Sequence, residues 1–214
     1  MSLYVDTATP SEASKALSLA IVAGVTTNPT LIRRTGADER AILTEIVTFQ
    51  PKRLFVQLVG KSQQDFLVHR DKIRDMLPNS AMVFKIPPTW PAIEFCEHWH
   101  EQDDFLVTAV NTIEQAYVAQ QAGAKYVAVY LHRYRLRNGE WPPLDEIKRA
   151  TQGHLRVMIA SCHDITEVRW ALINGADDVT LPFATIQALL FSKDTEDDIA
   201  RFDQDVLRNT PHAD

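Results

Sequence analysis

Eight short apolar runs alternate with amphipathic stretches along almost the whole chain, and this alternation is the strongest constraint on its fold. The runs are Leu3–Asp6, Gly24–Asn28, Arg53–Val59, Met82–Pro87, Phe105–Val110, Tyr126–Leu131, Arg156–Ser161 and Asp178–Pro182. Strands that alternate with helices form parallel sheets, because the crossover between parallel strands is usually a helix. Eight strands are the number that closes a barrel, so the sequence predicts an α/β fold, the (β/α)8 TIM barrel.

The stretches between the runs carry apolar residues at three- and four-residue spacing, as amphipathic helices do. The predicted helices are Ser11–Val22, Gln63–Met76, Thr112–Ala122, Ile165–Ile173 and a C-terminal helix at about residues 195–209. Thr112 and Asp164 are suited to cap helix N-termini, and Gly123 and Gly175 fall where a helix should end. Because no linker or low-complexity stretch interrupts the alternation, we expect one domain over residues 1–214.

Composition narrows the class of protein. The net charge of −6 argues against a nucleic-acid groove, whose surface would be basic. Cys96 and Cys162 are too few for a disulfide framework, so a reducing compartment is the default. The N-terminal residues lack the features of a signal peptide, and no apolar run approaches membrane-spanning length. We therefore expect a soluble cytoplasmic protein with neither a nucleic-acid nor a membrane partner.

A lysine stands in the middle of the apolar run Ala81–Pro88, which turn residues precede and prolines close. Burial disfavours the ammonium form, so a lysine inside such a strand should have a lowered pKa. A neutral amine attacks carbonyl carbons and forms Schiff bases. The alternative is an edge strand, or a Lys85 side chain that reaches out to water.

Strand periodicity predicts which side chains face the interior of the barrel. Side chains alternate along a barrel strand between the interior and the helix layer, so an inward Lys85 leaves Phe84 and Ile86 facing helices. The same alternation predicts inward polar side chains near the C-terminal ends of other strands: Asp6, Gln57, Thr108 and Tyr130, with Ser161 closing the seventh strand. Active sites of these barrels lie at that face, which favours a catalytic role for Lys85.

Several motifs resemble the transaldolase family. They are Gly24–Ile32 on the second strand, Asp6 at the end of the first, Phe84–Pro87 around the lysine, Ala122–Val127 and Ile159–Ser161. The resemblance covers nearly the whole chain, in the family's order. It implies a (β/α)8 barrel, a lysine Schiff base, and cleavage or formation of a carbon–carbon bond in a sugar phosphate, with neither a metal nor an organic cofactor.

The resemblance also implies roles for the inward residues. Lys85 would form an iminium on the C2 ketone, and Asp6 would handle the proton of the hydroxyl beyond the scissile bond. Tyr130, Gln57 and Thr108 would hold the water that exchanges protons during imine formation and hydrolysis. A capping role for Asp6 and a purely structural role for buried strand residues remain alternatives.

Four residues are expected to bind the substrate on the same resemblance. Asn28 and Thr26 would contact the donor part, with Asn28 hydrogen-bonding its hydroxyls. Arg133 and Ser161 resemble the family's phosphate-binding pair. The Asn-Pro dipeptide is equally suited to a turn, so a structural role for Asn28 stays open.

Two residues resemble one subgroup of the small-chain members. Transaldolases proper tend to have Glu on the third strand and Phe on the sixth, whereas fructose-6-phosphate aldolases have Gln and Tyr at these places. This chain has Gln57 on its third strand and Tyr130 on its sixth. A phenol that orders water beside the enamine supports hydrolysis, whereas Phe would protect the intermediate for transfer. A true transaldolase is the close alternative, and a non-catalytic barrel that binds sugar phosphates is a distant one.

Some features depart from the resemblance. Val129 stands where relatives usually have Pro, and His132 where Asn is common. The loop predicted at residues 133–143 has three arginines rather than glycines. It lies near the phosphate end, so the identity of the substrate stays open.

Two stretches with several reactive side chains are not predicted to be metal or catalytic sites. In the Cys96–His100 tract, two histidines two residues apart would point to different faces of a helix, so we expect no metal. Cys162, His163 and Asp164 have the residue types of a catalytic cysteine triad, but adjacent residues on a turn cannot adopt the geometry of such a triad.

The expected partners are a small-molecule sugar phosphate and further copies of the chain. Small members of the family form ring-like oligomers through their C-terminal helices. Ile199, Phe202, Val206 and Leu207 in the predicted last helix have helical spacing, which is compatible with such a contact; the side chains of the last two lie outside those that the structure describes.

Overall fold

The computed structural model describes the backbone of residues 1–209 and the side chains of residues 1–205, and it confirms the predicted barrel. Its parallel strands are β1 Ser2–Asp6, β2 Val22–Thr26, β3 Arg53–Gln57, β4 Met82–Ile86, β5 Asp104–Val110, β6 Tyr126–Tyr130, β7 Arg156–Ala160 and β8 Asp178–Leu181. They pair in sequence order, and β8 pairs back with β1 to close the barrel. Every predicted strand is present, with ends that differ by a few residues.

Helices cover the outside of the barrel. They are α1 Pro10–Leu17, α2 Pro29–Thr35, α3 Glu39–Thr48, α4 Gln63–Met76, α5 Trp90–Trp99, α6 Ile113–Gln121, α7 Leu131–Asn138, α8 Leu144–Ala150, α9 Ile165–Ile173, α10 Phe183–Ala188 and α11 Lys193–Asn209. The bounds of α4 and α9 agree with the prediction, and Thr112 and Asp164 accept hydrogen bonds as N-caps. Gly123 and Gly175 take the left-handed conformation that ends a helix.

The predicted end of the first helix is wrong. The apolar pattern extends to Val22, but the helix ends at Leu17 and Ser18 caps it. Val22 instead begins β2 and pairs with Leu3. Pairing with a neighbouring strand has overridden the local helical spacing.

The residues after β6 are helical, whereas the sequence predicted a loop there. Helix α7 begins directly after Tyr130, buries Leu131 and Tyr134, and ends at Gly139, which has a φ of 72°. Arginine and leucine are good helix formers, and a glycine in the left-handed region is the usual C-terminal stop. The helix therefore fixes the positions of arginines that a loop would have left free.

The interior of the barrel is filled beneath its C-terminal face. Phe55 packs edge-to-face between Tyr4 and Tyr126, with ring centroids 5.1 and 5.4 Å apart. At the N-terminal end, Arg156 Nε donates to the buried carboxylate of Asp178 at 2.9 Å. Burial raises the pKa of Tyr4 to about 12, so this layer stays uncharged at its phenols.

The predicted alternation of side chains is confirmed. Val5, Val56, Phe84 and Ile86 belong to the core between the strands and the helices. The separate interior cluster consists of Tyr4, Phe55, Val83, Leu106, Tyr126, Ala128 and Met158, with Tyr130 packed against it. Polar residues that share this inward parity therefore face the space above the interior cluster.

Candidate active site

Lys85 lies inside the barrel, on the central part of a strand whose five residues are all buried. The residue is 7% exposed, and its Nζ donates to the Thr27 backbone carbonyl oxygen at 2.8 Å. Burial lowers the pKa of the amine, and the Asp6 carboxylate opposes the shift. No salt bridge to Lys85 exists among residues 1–205. The alternative in which this side chain reaches water is therefore wrong.

Asp6 is held by a chain of hydroxyl groups at the ends of β1, β2 and β8. Thr26 Oγ1 donates to Asp6 Oδ1 at 2.7 Å and lies 2.6 Å from Thr180 Oγ1. Because the single hydroxyl hydrogen of Thr26 goes to the carboxylate, Thr180 must donate to Thr26. This chain orients Oδ1 and leaves Oδ2 without a protein hydrogen bond in the described part. Asp6 is therefore not a helix cap here.

Thr180 is a site residue that the sequence reasoning missed. It stands near the C-terminal end of β8 and is 3% exposed. Its parity is the same as that of Tyr4, with which it is paired in the sheet. The strand alternation that predicts inward Asp6 and Gln57 side chains applies equally to Thr180 on the eighth strand.

Tyr130 and Thr108 form a hydroxyl pair at the ends of β6 and β5. Their oxygens are 2.7 Å apart. The strand is irregular beside Thr108, because the pairing register shifts between Val107 and Val110 and Ala109 has a φ of 58°. A non-glycine residue in this region is strained by about 1–3 kcal/mol. Such irregularities are frequent next to active sites, and this one directly follows Thr108.

The Asn111 side chain stabilises this irregular turn. Its Nδ2 donates to the Ala109 carbonyl oxygen at 2.7 Å, and Gln115 Oε1 accepts from the Asn111 backbone N–H at 2.8 Å. The local structure after β5 is thus secured by hydrogen bonds from the start of α6. The bond between Thr108 and Tyr130 consequently joins two well-anchored strand ends.

Gln57 lies directly beside the lysine, since it is the sheet partner of Lys85 on β3. It is half-buried, and its amide has no hydrogen-bond partner within residues 1–205. The amide can therefore bind a water or a substrate oxygen at the strand end.

Asn28 has a structural role, because it caps the N-terminus of α2. Its Oδ1 accepts from the Leu31 backbone N–H at 3.0 Å and caps α2, whose first residue is Pro29. The Nδ2 donor of the same amide is not used by any described residue, so capping does not prevent a contact with a substrate hydroxyl. Thr27, next to it, has a buried hydroxyl without a partner in the described chain.

Arg133 and Ser161 follow the neighbouring strands β6 and β7. Arg133 is exposed, and its guanidinium carbon lies 4.9 Å from the centroid of the Tyr130 ring. Ser161 is half-buried with a φ of 58°, and its carbonyl accepts from the His132 backbone N–H at 3.2 Å. The predicted anion-binding pair thus lies on adjacent connections at the same barrel face as Lys85.

The two cysteines are not suited to nucleophilic catalysis. Cys96 and Cys162 are free and buried, and burial raises the pKa of each thiol to about 12, so neither is a thiolate nucleophile. No group of three or more metal-ligating residues converges within the part of the chain that the structure describes. In the same part, no helix is long and apolar enough to cross a membrane.

Comparisons with known proteins agree with the motifs. A family model described as "Transaldolase/Fructose-6-phosphate aldolase" matches residues 3–212. Probable transaldolases from Carboxydothermus hydrogenoformans and Thermoplasma volcanium are each 28% identical. The alignments cover 94% and 99% of this chain and 96% and 97% of the relatives.

Solved structures with similar folds include a mandelate oxidase bound to (S)-2-phenylpropionate. It has a TM-score of 0.61 and 19% identity, and the match covers 86% of this chain. The chain spans 64% of the length of that oxidase. At this level of identity the likeness shows the barrel fold alone.

Proposed function

The chain belongs to the transaldolase/fructose-6-phosphate aldolase family, and from this premise we propose that Lys85 forms a Schiff base with a ketose phosphate. The favoured substrate is fructose 6-phosphate or a related ketose, cleaved to or formed from dihydroxyacetone and glyceraldehyde 3-phosphate. The observation that carries the proposal is the buried Lys85 amine, whose pKa is lowered by desolvation at the face where Asp6 and Tyr130 lie. The reaction needs neither a metal nor an organic cofactor, because the lysine itself supplies the electron sink.

The covalent step begins with attack of the neutral amine on the C2 carbonyl. A C–N bond forms, the carbonyl oxygen leaves as water, and the positively charged iminium remains. Desolvation favours the reactive amine before attack. The carboxylate of Asp6, close enough to oppose the pKa shift, also stabilises the cation that follows.

Cleavage follows with Asp6 as the base. Its free Oδ2 accepts the proton of the C4 hydroxyl, the C3–C4 bond breaks, and the electron pair moves to the iminium to give an enamine. The aldehyde leaves as glyceraldehyde 3-phosphate. The hydrogen bonds from Thr26, itself bonded to Thr180, fix the carboxylate in one orientation.

Release of the donor needs a proton and a water. The enamine carbon takes a proton, and water then hydrolyses the iminium to give dihydroxyacetone and the free amine. The Tyr130 hydroxyl, bonded to Thr108 at 2.7 Å, and the Gln57 amide, which has no hydrogen-bond partner among the described side chains, support an ordered water at this position. These two residues favour an aldolase that releases its donor.

The second candidate is a true transaldolase, which transfers the dihydroxyacetone unit to an aldehyde acceptor. The relatives from Carboxydothermus hydrogenoformans and Thermoplasma volcanium, both described as probable transaldolases, favour it. The two activities share every step up to the enamine and differ in whether water or an aldehyde consumes it. A barrel that only bound sugar phosphates is a distant third candidate, since binding alone has no use for a buried lysine with a lowered pKa.

The phosphate contact predicts a selective loss of affinity. Replacing Arg133 by Ala should raise KM for fructose 6-phosphate roughly 10- to 150-fold, because a hydrogen bond to a charged group contributes about 1.5–3 kcal/mol. The KM for unphosphorylated fructose should change little. Steady-state kinetics with both substrates make this comparison.

Arg137→Ala is the matched control, since this arginine lies one turn later on α7 and, among residues 1–205, donates to Asn111 Oδ1 alone, at 3.3 Å. It should leave both KM values nearly unchanged. Equal effects of Arg133→Ala on the two substrates would mean that Arg133 is not a phosphate ligand.

We also propose that the protein is a homo-oligomer joined through α11. Ile199 and Phe202 on this helix are 52% and 63% exposed, although they are large and apolar. Exposed apolar clusters of this kind mark contacts with other chains.

The double change Ile199→Asp and Phe202→Asp should reduce the assembly to monomers in sedimentation velocity. Arg201→Ala, on the same helix and 69% exposed at its side chain, is the control that should retain the assembly. A wild type that sediments as a monomer would contradict this proposal.

The cytoplasm is the compartment that we propose for the reaction. Both cysteines of the chain are free thiols, as in a reducing compartment. The net charge of −6 supports a small anionic substrate bound by local arginines rather than a nucleic-acid partner.

A further inference from the structure

A buried carboxylate joins the two connections that carry the anion-binding pair. The side chain of Glu167, in the first turn of α9, is only 1% exposed. Its Oε1 accepts from His132 Nδ1 at 2.9 Å and from Arg135 Nη1 at 3.1 Å, both on α7. Its Oε2 accepts from the His163 backbone N–H at 2.8 Å, in the connection between β7 and α9. Both oxygens thus accept hydrogen bonds, from donors on two separate connections.

Ring stacking strengthens the same junction. The His132 and His163 rings are parallel within 17°, with centroids 3.8 Å apart. The Arg135 guanidinium lies 3.9 Å from the Trp141 ring, which stacks at 4.8 Å on Trp170 of α9. We call the set of Glu167, His132, Arg135, His163, Trp141 and Trp170 the Glu167 clasp.

The clasp holds the immediate neighbours of Arg133 and Ser161. Arg133 lies between His132 and Arg135 in sequence, and both of these bind the carboxylate. Ser161 precedes His163 by two residues, and its carbonyl accepts from the His132 backbone N–H. The left-handed conformation of Ser161 is strained and persists only where surrounding contacts fix it.

Stability alone does not account for this arrangement. Burying a carboxylate has a desolvation penalty that an ion pair with one arginine only partly offsets, and apolar residues of similar volume often stabilise as well or better. A carboxylate does, however, impose directed bonds on three donors from two separate connections. Directed bonds fix geometry, and geometry is what a two-part phosphate grip requires.

We propose that Glu167 is a positioning residue that sets the orientation of Arg133 relative to Ser161 and thereby makes the site selective for phosphorylated ketoses. This inference rests on the proposed function, in which Arg133 and Ser161 bind the substrate phosphate. Glu167 does not touch the substrate; it acts through the two connections that it joins.

The test is Glu167→Gln, which keeps the shape but removes the charge and turns one acceptor into a donor. The amide nitrogen must then face either the His163 N–H or the donors of α7, so one connection is released. We expect KM for fructose 6-phosphate to rise about tenfold or more, as for loss of one charged hydrogen bond. The kcat, and kcat/KM for fructose, should stay within about twofold of the wild type on the same argument.

Asp103→Asn is the matched control for stability. The Asp103 side chain is also 1% exposed and pairs with Arg70 and Arg74, but it precedes β5 at the opposite end of the barrel. This variant should lower the melting temperature and leave the ratio of the two substrates unchanged. If Glu167→Gln behaves in the same way, the carboxylate is structural and the inference is overturned.

Arg135→Lys decides the matter if Glu167→Gln does not fold. Its side chain is 38% exposed, so the fold should tolerate the change, while the planar contacts with Glu167 and Trp141 are lost. We expect a selective increase in KM for the phosphorylated substrate in the same direction. An unchanged ratio of the two substrates would overturn the inference.

Two further measurements separate this inference from the proposed function. Borohydride trapping of dihydroxyacetone on Lys85 needs no phosphate, so it tests the Schiff base alone. Thermal stabilisation by inorganic phosphate needs no catalysis, and it should be present in the wild type and weakened in Glu167→Gln. Phosphate stabilisation that is weakened in Glu167→Gln, without trapping in the wild type, would reject the Schiff base but support the role of Glu167; trapping with equal phosphate stabilisation of the wild type and Glu167→Gln would reject the role of Glu167 alone.

Discussion

Reduction with borohydride in the presence of dihydroxyacetone should add the mass of the reduced donor to the peptide that contains Lys85, and Lys85→Arg should abolish this labelling. Arginine keeps charge and length but is not a nucleophile near neutral pH. Turnover should fall roughly 10⁴-fold or more, as when an essential nucleophile is removed. Intact-mass and peptide mass spectrometry measure the label, and a coupled aldehyde assay measures the turnover.

Two variants control this experiment. Lys85→Met keeps an uncharged chain of similar length in the buried position and should preserve the fold by circular dichroism while also losing the label. Lys125→Arg changes a lysine that pairs with Asp104 at the opposite barrel end, and it should label like the wild type. Labelling of any lysine other than Lys85 would contradict the mechanism.

The lowered pKa of Lys85 also fixes the direction of the pH dependence. The folded-state pKa lies below the ordinary value of 10.5, because burial disfavours the ammonium form. The amine is therefore already neutral at pH values where a free lysine is charged, and trapping should decline only as pH falls through the lowered pKa. Since the unfolded chain binds this proton more tightly, the contribution of Lys85 to stability rises with pH between the lowered pKa and 10.5.

Tyr130→Phe should slow the release of free dihydroxyacetone about 10²–10⁴-fold without slowing carbon–carbon cleavage equally, since it removes general acid–base help at one step only. The hydroxyl that Thr108 holds at 2.7 Å would be lost, and with it the ordering of water beside the enamine. The covalent donor should then persist and be captured by added erythrose 4-phosphate. The measurement is the partition between free dihydroxyacetone and transfer product.

Tyr126→Phe is the control, because this tyrosine lies on the same strand, two inward-facing positions deeper in the barrel, and packs on Phe55. It should leave the partition unchanged. If Tyr130→Phe also leaves it unchanged, or if the wild type releases no dihydroxyacetone, the chain is a transaldolase proper and Tyr130 is a packing residue.

The sequence was sufficient for the fold and for the inward residues because both follow from local periodicity. Alternation with a period of two places Lys85, Asp6 and Gln57 on the inner side of their strands once a barrel is assumed. The burial of Lys85 then follows from the closure of the barrel on both sides of β4. These inferences need no knowledge of which side chains touch.

The remaining features depend on contacts between distant parts of the chain. Glu167 and His132 are 35 positions apart in the sequence, and no local pattern predicts their contact. Thr26 and Thr180 meet across 154 positions only because β8 closes on β1. The strained conformation at Ala109 is likewise set by its surroundings rather than by a preference of alanine.

The aromatic layer of Tyr4, Phe55 and Tyr126, with the Arg156–Asp178 pair nearer the N-terminal ends of the strands, fills the barrel interior beneath Lys85, so we expect the proposed site to open at the C-terminal face. Whatever enters past the ends of the strands must depart the same way. In the proposed reaction the donor would be bound covalently to Lys85, inside the barrel, and the aldehyde with its phosphate would lie nearer the C-terminal face, where Arg133 and Ser161 are. We therefore expect ordered product release, in which the aldehyde leaves first and the covalently bound donor remains until water, or a second aldehyde, enters by the same route.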